Sequence, residues 1–184
     1  MWEDELAGMR ERIRTMRGAL VAKLKEAGVS DDLARRELFS EDIWQRGGHV
    51  AALVAVPRSV AEISAIAKAA SVAGVPLSLR GAGMSYTGSY LPESDTGVAL
   101  DLTAMNRVLR ISPEDMTVTV EAGCSWATLN DALKPLGLRT PFWGPMSGIY
   151  STIGGGLSQL NAMFGAGHYG TSSESVIALT MVLG

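Results

Sequence analysis

The first part of the chain alternates apolar and polar residues at helical spacing. Over residues 6–24 the apolar positions lie three or four apart, which predicts an amphipathic helix ended by Gly28. Ser30 or Asp31 is the predicted cap of a second short helix that runs through Leu38. The chain therefore opens with two helices.

From residue 50 onward, continuous apolar runs replace the helical spacing of apolar positions. Residues 50–56 are apolar throughout and predict a buried strand closed by Pro57. Residues 59–62, Ser-Val-Ala-Glu, form a capping box for a helix that stops at Gly74. Residues 75–79 predict the next strand. Together these segments predict a β-α-β unit with parallel strands.

The second half of the pattern predicts shorter elements. Strands or β-rich runs are expected at residues 97–102, 107–111, 116–121 and 176–183. Ser125 is the expected cap of a helix over residues 126–136 that Gly137 closes. A loop rich in Pro and Gly spans residues 140–151, and a short helix begins near Thr152. The pattern predicts an α/β (α+β) chain, parallel at first and more antiparallel afterwards.

Composition limits the class of protein. The 184 residues are 47% hydrophobic and 19% charged, which predicts a globular chain with a core. A formal charge of −3 argues against a nucleic-acid partner. The single cysteine, Cys124, excludes an internal disulfide, and no metal site is expected. The sequence shows neither a transmembrane segment nor a signal peptide, so a cytoplasmic location is expected.

A glycine-rich loop, Arg-Gly-Ala-Gly-Met-Ser-Tyr-Thr-Gly over residues 80–88, follows the second predicted strand. Glycine lets successive backbone N–H groups face one point, which forms a nest for an anion such as pyrophosphate. Neither a Rossmann fingerprint nor a Walker loop fits, because Tyr86 stands at the third glycine position and no Lys-Ser or Lys-Thr follows. Further glycine clusters occur at residues 153–156 and 165–170. Three such loops suggest a large phosphorylated cofactor.

An ordered set of segments makes this suggestion specific. The segments are Pro-Arg-Ser-Val-Ala-Glu-Ile (57–63), Arg-Gly-Ala-Gly-Met-Ser (80–85), Val-Ala-Leu-Asp-Leu-Thr (98–103), Val-Glu-Ala-Gly (120–123), Thr-Ile-Gly-Gly-Gly (152–156) and His-Tyr-Gly-Thr-Ser (168–172). Together they resemble the PCMH-type FAD-binding domain of the vanillyl-alcohol oxidase superfamily. Within it they look most like the glycolate oxidase and D-lactate dehydrogenase group. The resemblance covers the chain from about Val50 to its end.

The resemblance implies a fold of two α/β subdomains, the first with a small parallel sheet and the second mostly antiparallel, with FAD between them. The implied pyrophosphate loop consists of Arg80, Gly81, Ala82, Gly83, Met84, Ser85 and Gly88. The residues implied to line the flavin and its ribityl and phosphate arm, within residues 145–148 and 152–155, are Pro145, Gly148, Thr152, Ile153, Gly154 and Gly155. The residues implied to pack the returning chain against the cofactor are Gly165, His168, Tyr169 and Gly170, and Val176 and Ile177 are implied to present backbone to its adenine or flavin side. Two alternatives stay open: Arg80 either pairs with phosphate or holds the loop through carbonyls, and His168 either contacts the cofactor or faces solvent.

The resemblance also implies non-covalent FAD. Met84 stands where many members carry a histidine bonded to the flavin, and the loop over residues 140–151 has no cysteine for a second link. No catalytic residue is assigned, because such residues generally come from a part expected beyond Gly184. We expect an N-terminal fragment, with a helical segment over residues 1–48 and an incomplete FAD domain over residues 49–184. The substrate-binding cap domain is expected to be absent.

The implied activity is that of an FAD-dependent oxidoreductase. Its small-molecule substrate would be a 2-hydroxy acid or related alcohol that gives a hydride to FAD, and the electron acceptor stays open between oxygen, a quinone and another acceptor. A homo-oligomer or a partner subunit is equally open. One alternative is an enzyme of the UDP-N-acetylenolpyruvoylglucosamine reductase type, which would bind NADPH and a nucleotide sugar. The other is a non-catalytic flavin-binding subunit or fragment.

Overall fold

The computed structural model describes residues 2–141, 144–145 and 147–183, and the chain forms two compact units. Unit 1 comprises Met1–Asp101 with Met181–Gly184, and unit 2 comprises Leu102–Thr180. Buried apolar residues form a core in each unit. This architecture confirms the predicted mixture of helices with a parallel and an antiparallel sheet.

Unit 1 is built on a four-stranded sheet. Its elements are α1 (Trp2–Leu24), β1 (Val29–Ser30), α2 (Leu33–Leu38), β2 (Leu53–Ala55), α3 (Val60–Ala73), β3 (Leu77–Arg80) and β4 (Val98–Asp101). The strand order is β1-β2-β4-β3, in which β4 is parallel to both β2 and β3 and β1 is antiparallel to β2. The predicted β-α-β unit is therefore parallel, and β4 lies between its two strands.

The apolar runs of the sequence form the centre of this sheet. Every residue of β2 and β4 is buried, as expected for strands with both faces covered. Helix α1 packs on α3 and on β2, and it buries Met16 and Leu20 almost completely. The helices within the described ranges are too short or too polar to cross a membrane.

The predicted capping box at the start of α3 is present in altered form. Ser59 Oγ accepts the Glu62 N–H at 3.2 Å, whereas the Glu62 carboxylate accepts the N–H of Arg58 at 2.6 Å. The helix ends as predicted at Gly74, which adopts a left-handed φ of 62°.

Two predictions at the start of unit 1 are wrong. Helix α1 ends at Leu24 rather than reaching Gly28, because Lys25 takes a positive φ of 61° and the chain enters a 3₁₀ turn. The cap of α2 is Asp32, whose carboxylate accepts the Arg35 N–H at 3.0 Å. Ser30 instead belongs to β1, a strand too short for its sequence to signal.

Unit 2 carries a hairpin and short helices. Its elements are β5 (Val108–Ser112), β6 (Thr117–Val120), α4 (Trp126–Leu133), α5 (Ile153–Ser158) and α6 (Ala166–Tyr169), with 3₁₀ turns at Leu102–Ala104, Lys134–Leu136 and Ser172–Ser175. Strands β5 and β6 are antiparallel, as predicted. Ser125 caps α4, as predicted, by accepting the Thr128 N–H at 3.0 Å. The core holds Cys124, Trp126, Leu129, Leu133, Ile153 and Met163.

Two predicted elements of this second half differ. The helix predicted over residues 126–136 is α-helical only to Leu133 and continues as a 3₁₀ turn, where Pro135 has no N–H to donate. The β-rich run predicted over residues 176–183 forms no strand. A strand needs a neighbour for its backbone hydrogen bonds, and the described residues pair none with this run.

Candidate functional site

The loop after β3 presents a row of backbone N–H groups that the protein does not use. In the described parts of the chain, the amides of Gly81, Ala82, Gly83 and Met84 donate to no carbonyl or side chain. Gly83 is buried and takes a left-handed φ of 72°. An unsatisfied buried amide costs about 1–3 kcal/mol, so the buried Gly83 N–H fits an external acceptor such as a phosphate oxygen, and the three half-buried amides beside it are available to the same ligand.

Arg80 fixes the near end of this loop by contacts within the protein. Its Nη1 donates to the carbonyl oxygens of Leu38 and, at 3.3 Å, Glu41. The guanidinium lies 4.8 Å from the centre of the Phe39 ring. These contacts fit the carbonyl-holding role of Arg80, and its pairing with phosphate stays a prediction. A Cβ on Gly83 would lie 2.6 Å from Arg80 Cζ, so this position needs glycine for space as well as for φ.

The far end of the loop is held by an aspartate that the sequence analysis did not single out. The Gly88 N–H donates to Asp42 Oδ2 at 2.8 Å, so this amide has a partner, unlike those of residues 81–84. Asp42 Oδ1 accepts the N–H groups of Trp44 and Gln45 at 2.8 and 2.7 Å. Partial burial opposes ionisation, but these three backbone donors outweigh it and lower the pKa of Asp42. An Asx-turn pattern at residues 42–45 was the available sequence signal.

Tyr90 and Ser85 complete the internal support of the loop. The Tyr90 hydroxyl donates to the Gly83 carbonyl at 2.9 Å, and its burial raises the pKa of Tyr90. The Ser85 carbonyl accepts the Ile43 N–H at 3.4 Å. Both contacts orient the backbone while leaving the amides of residues 81–84 without a protein acceptor.

The triple glycine in unit 2 has a different physical role from the first loop. The N–H groups of Ile153 and Gly154 donate to the carbonyls of Cys124 and Ala122 at 2.8 and 2.9 Å. The Gly155 N–H donates to the cap residue Thr152 at 3.2 Å. The protein thus satisfies the amides that would otherwise form a second nest. A Cβ on Gly154 would lie 2.7 Å from the Ala122 oxygen, so glycine here permits close packing of α5.

Pro145 and Gly148 shape the loop that precedes α5. The Pro145 carbonyl accepts the Gly148 N–H at 2.8 Å, and the Gly148 carbonyl accepts the Ala127 N–H at 3.0 Å. Pro145 also borders a shallow cavity of about 240 Å³, whose other lining residues are Asn161, Ala162, Met163 and Phe164. Met146, within the segment expected to line the flavin, lies outside the described residues.

The third glycine cluster surrounds the four-residue helix α6. Gly165 and Gly170 bound it with φ values of 104° and 79°. His168 is exposed and meets the Tyr169 ring edge-on at 4.5 Å between centroids. The exposure of His168 within this unit fits a solvent-facing side chain, and its contact with the cofactor stays a prediction. Val176 is half-buried and Ile177 is exposed, and both follow the 3₁₀ turn at Ser172–Ser175.

The predicted residues thus fall into separate groups. Arg80 to Gly88 form one loop of unit 1, and the residues from Pro145 to Ile177 occupy successive loops and short helices of unit 2. The buried carboxylate Glu121 is engaged in a structural pair: Arg107 donates to it at 2.6 Å and thereby lowers the pKa of Glu121. Burial raises the pKa of the Cys124 thiol, which suits a packed residue rather than a nucleophile.

Comparison with known proteins agrees with this geometry. Residues 51–184 match the FAD binding domain family. The chain is 34% identical over 169 residues to the mitochondrial D-lactate dehydrogenase (cytochrome) of Arabidopsis thaliana, covering 89% of this chain and 29% of that protein. It is 32% identical over 153 residues to the glycolate oxidase subunit GlcD of Bacillus subtilis, covering 83% of this chain and 32% of that protein.

A solved structure shares the fold. Alkyldihydroxyacetonephosphate synthase superimposes with a TM-score of 0.75 at 24% identity, covering 84% of this chain and 31% of that one. The chain spans about a third of the length of each of these proteins. The family match covers well over half of the chain and includes all three glycine clusters. The chain therefore belongs to the FAD binding domain family, and its cofactor is FAD.

Proposed function

We propose that this chain is the cofactor-binding part of an oxidoreductase that acts on a 2-hydroxy acid or related alcohol. The observation that carries the cofactor role is the row of four amides at residues 81–84 that have no acceptor within the described protein. The relatives named for D-lactate and glycolate support the substrate class. When bound, FAD supplies the two-electron redox chemistry, and the protein supplies binding and orientation.

In this proposal different residues of the chain bind different parts of FAD. The amides of residues 81–84 bind the pyrophosphate oxygens, while Arg80 and Tyr90 fix the backbone that carries them. Several charge-assisted N–H bonds to one dianion are each worth roughly 1.5–3 kcal/mol. Pro145, Gly148 and residues 152–155 line the flavin and its ribityl and phosphate arm. Residues 165–170 pack against the cofactor, and residues 176–177 present backbone to its adenine or flavin side.

Non-covalent attachment is part of the proposal, because the thioether of Met84 offers no nitrogen for a bond to the flavin. The test is an absorbance spectrum of the purified chain after addition of FAD and removal of the excess, repeated on supernatant and pellet after acid precipitation. We expect flavin bands in the folded sample that move entirely to the supernatant. Flavin retained in the pellet would contradict non-covalent attachment, and absence of any bound flavin would contradict binding by this chain.

The activity requires separate tests on the complete protein. Reduction of bound FAD by a 2-hydroxy acid such as D-lactate or glycolate is the expected result. Rapid bleaching by NADPH would instead favour the UDP-N-acetylenolpyruvoylglucosamine reductase type. Flavin binding without reduction by any of these donors would favour a non-catalytic flavin-binding subunit. A native molecular mass would distinguish a monomer from the homo-oligomer or partner complex that the sequence leaves open.

The remaining parts of the proposal concern domain division and location. We keep the division into a helical segment over residues 1–48 and an FAD domain from residue 49. A cytoplasmic location is retained as the proposal, although relatives from Arabidopsis thaliana and Danio rerio carry the word mitochondrial in their names. Cell fractionation followed by immunoblotting distinguishes the two locations.

A further inference from the structure

The segment before the family match holds the glycine loop at three points. It comprises residues 38–45, which we name the clamp segment, and it precedes the matched residues 51–184. Its carbonyls at Leu38 and Glu41 accept Arg80 at the near end of the loop. The Ile43 N–H donates to the Ser85 carbonyl in the middle, at 3.4 Å. Asp42 accepts the Gly88 N–H at the far end, at 2.8 Å.

The clamp segment is itself closed into a turn. The Asp42 N–H donates to the Gln45 carbonyl at 2.9 Å, and Asp42 Oδ1 accepts the N–H groups of Trp44 and Gln45. Oδ2 is thereby left facing Gly88. The Asp42 carboxylate therefore joins the turn to the glycine loop, because Oδ1 accepts the N–H groups of the turn and Oδ2 accepts the N–H of Gly88.

We propose that Asp42 is a positioning residue for the cofactor site, and that the clamp segment is a working part of that site. By fixing Gly88, Asp42 sets the far end of a loop whose near end Arg80 fixes, and the amides of residues 81–84 are held between these two anchors. This proposal rests on the proposed role of that loop in binding FAD pyrophosphate. Asp42 acts through the backbone and contacts no phosphate in this assignment.

The substitution Asp42→Asn distinguishes two possible effects of Asp42 on FAD binding: positioning of the glycine loop and charge repulsion of the pyrophosphate. The asparagine oxygen still accepts the two amides of the turn, but its NH₂ group cannot accept the Gly88 N–H. Loss of a hydrogen bond to a charged group predicts FAD binding weakened by about tenfold. Removal of a negative charge near a dianion would by itself tighten binding. The sign of the change therefore distinguishes positioning from simple repulsion.

Asp95→Asn is the matched control. Asp95 also lies in unit 1, accepts a backbone N–H from Val50 at 2.9 Å and pairs with His49 at 3.3 Å, but it does not contact the glycine loop. We expect Asp95→Asn to leave FAD affinity unchanged.

Asp42→Ser is a second test variant. The serine hydroxyl can accept an N–H group of the turn, but it is too short to accept the Gly88 N–H as well.

Two measurements test the proposal: FAD affinity by fluorescence titration, and amide spectra of the chain labelled with ¹⁵N-glycine. In Asp42→Asn we expect weaker FAD binding and moved amide signals for Gly81 and Gly83 as well as Gly88. Unchanged or tighter FAD binding would overturn the proposal. If the wild-type chain binds no FAD, the proposed function of this chain fails. The amide spectra then test by themselves whether Asp42 positions the glycine loop. Movement of the Gly81 and Gly83 signals then supports the clamp, and their constancy overturns it.

Discussion

At the scale of single residues, glycine has two unrelated uses in this chain. Gly83 and Gly88 adopt left-handed φ values and shape the loop whose amides at residues 81–84 have no acceptor in the described protein. Gly154 and Gly156 take ordinary helical angles, and glycine stands there because a Cβ would strike Ala122 or Met163. Glycine therefore leaves amides available to a ligand in the first loop and permits close helix packing in α5.

The substitution Gly83→Ala tests the first use. Alanine must adopt a left-handed φ, which costs roughly 1–2 kcal/mol, and its Cβ must displace the Arg80 guanidinium. We expect the free energy of unfolding in urea to fall by about 2–3 kcal/mol and FAD affinity to fall at least about tenfold.

Gly74→Ala is the control for backbone strain. Gly74 has a φ of 62° with no atom within 4 Å of an added Cβ. This variant should lose about 1 kcal/mol of stability and keep its affinity for FAD. Equal effects of the two substitutions on FAD binding would show that the space beside Arg80 is unimportant.

At the scale of elements, α5 is the helix whose placement depends most on small residues. Its first two N–H groups bond to residues 124 and 122, which draws the helix start against the backbone after β6. The sequence predicted the helix start at Thr152 correctly, because capping is a local property. The resemblance implied that residues 152–155 line the flavin and its ribityl and phosphate arm, and the sequence did not reveal that the carbonyls of residues 122 and 124 lie opposite their amides.

Gly154→Ala tests the packing role of α5. The added Cβ would lie 2.7 Å from the Ala122 oxygen and 2.8 Å from its Cβ, so the helix must move. Overpacking of this kind predicts a loss of about 1–3 kcal/mol in the free energy of unfolding. Gly167→Ala, in α6 with no atom within 4 Å of its Cβ, should change stability by less than about 0.5 kcal/mol. A smaller effect of Gly154→Ala than of this control would refute the packing role.

At the scale of the whole molecule, the chain carries an exposed apolar run. Ile177, Leu179, Met181 and Leu183 are between 63% and 82% exposed, at every second position. This alternation is typical of one face of a strand, and it led to the strand predicted over residues 176–183. Exposed, closely spaced apolar residues of this kind favour association between molecules.

The double substitution Ile177→Thr and Leu179→Thr should reduce that association. Threonine replaces apolar surface by a hydroxyl and keeps the branch at Cβ of position 177, so we expect less light scattering at high concentration with little change in unfolding free energy. Leu109→Thr, which removes a 53% exposed leucine from the β5–β6 hairpin, is the matched control. Equal reduction by this control would show that the run over residues 177–183 has no special role in association.

Much of the fold could be predicted because its signals are local. The apolar runs of β2 and β4, the caps Ser59 and Ser125, and the stop at Gly74 depend on neighbours in sequence. Two of the failures share one cause, which is a missing or unforeseen partner strand. Residues 176–183 have the pattern of a strand without a neighbouring strand, and Ser30 became a strand residue because β2 lies beside it.

The sequence by itself determined the longer helices and the core strands, the order of the three glycine clusters and the family, since all three are encoded in local spacing and order. Only the tertiary structure decided which amides are available to a ligand, because their availability depends on acceptors supplied by distant residues. Ala122 and Cys124 satisfy the amides of α5, and Asp42 satisfies Gly88 from 46 positions away. The amides of residues 81–84 keep no such partner in the described chain, which supports the proposal that this loop binds the pyrophosphate.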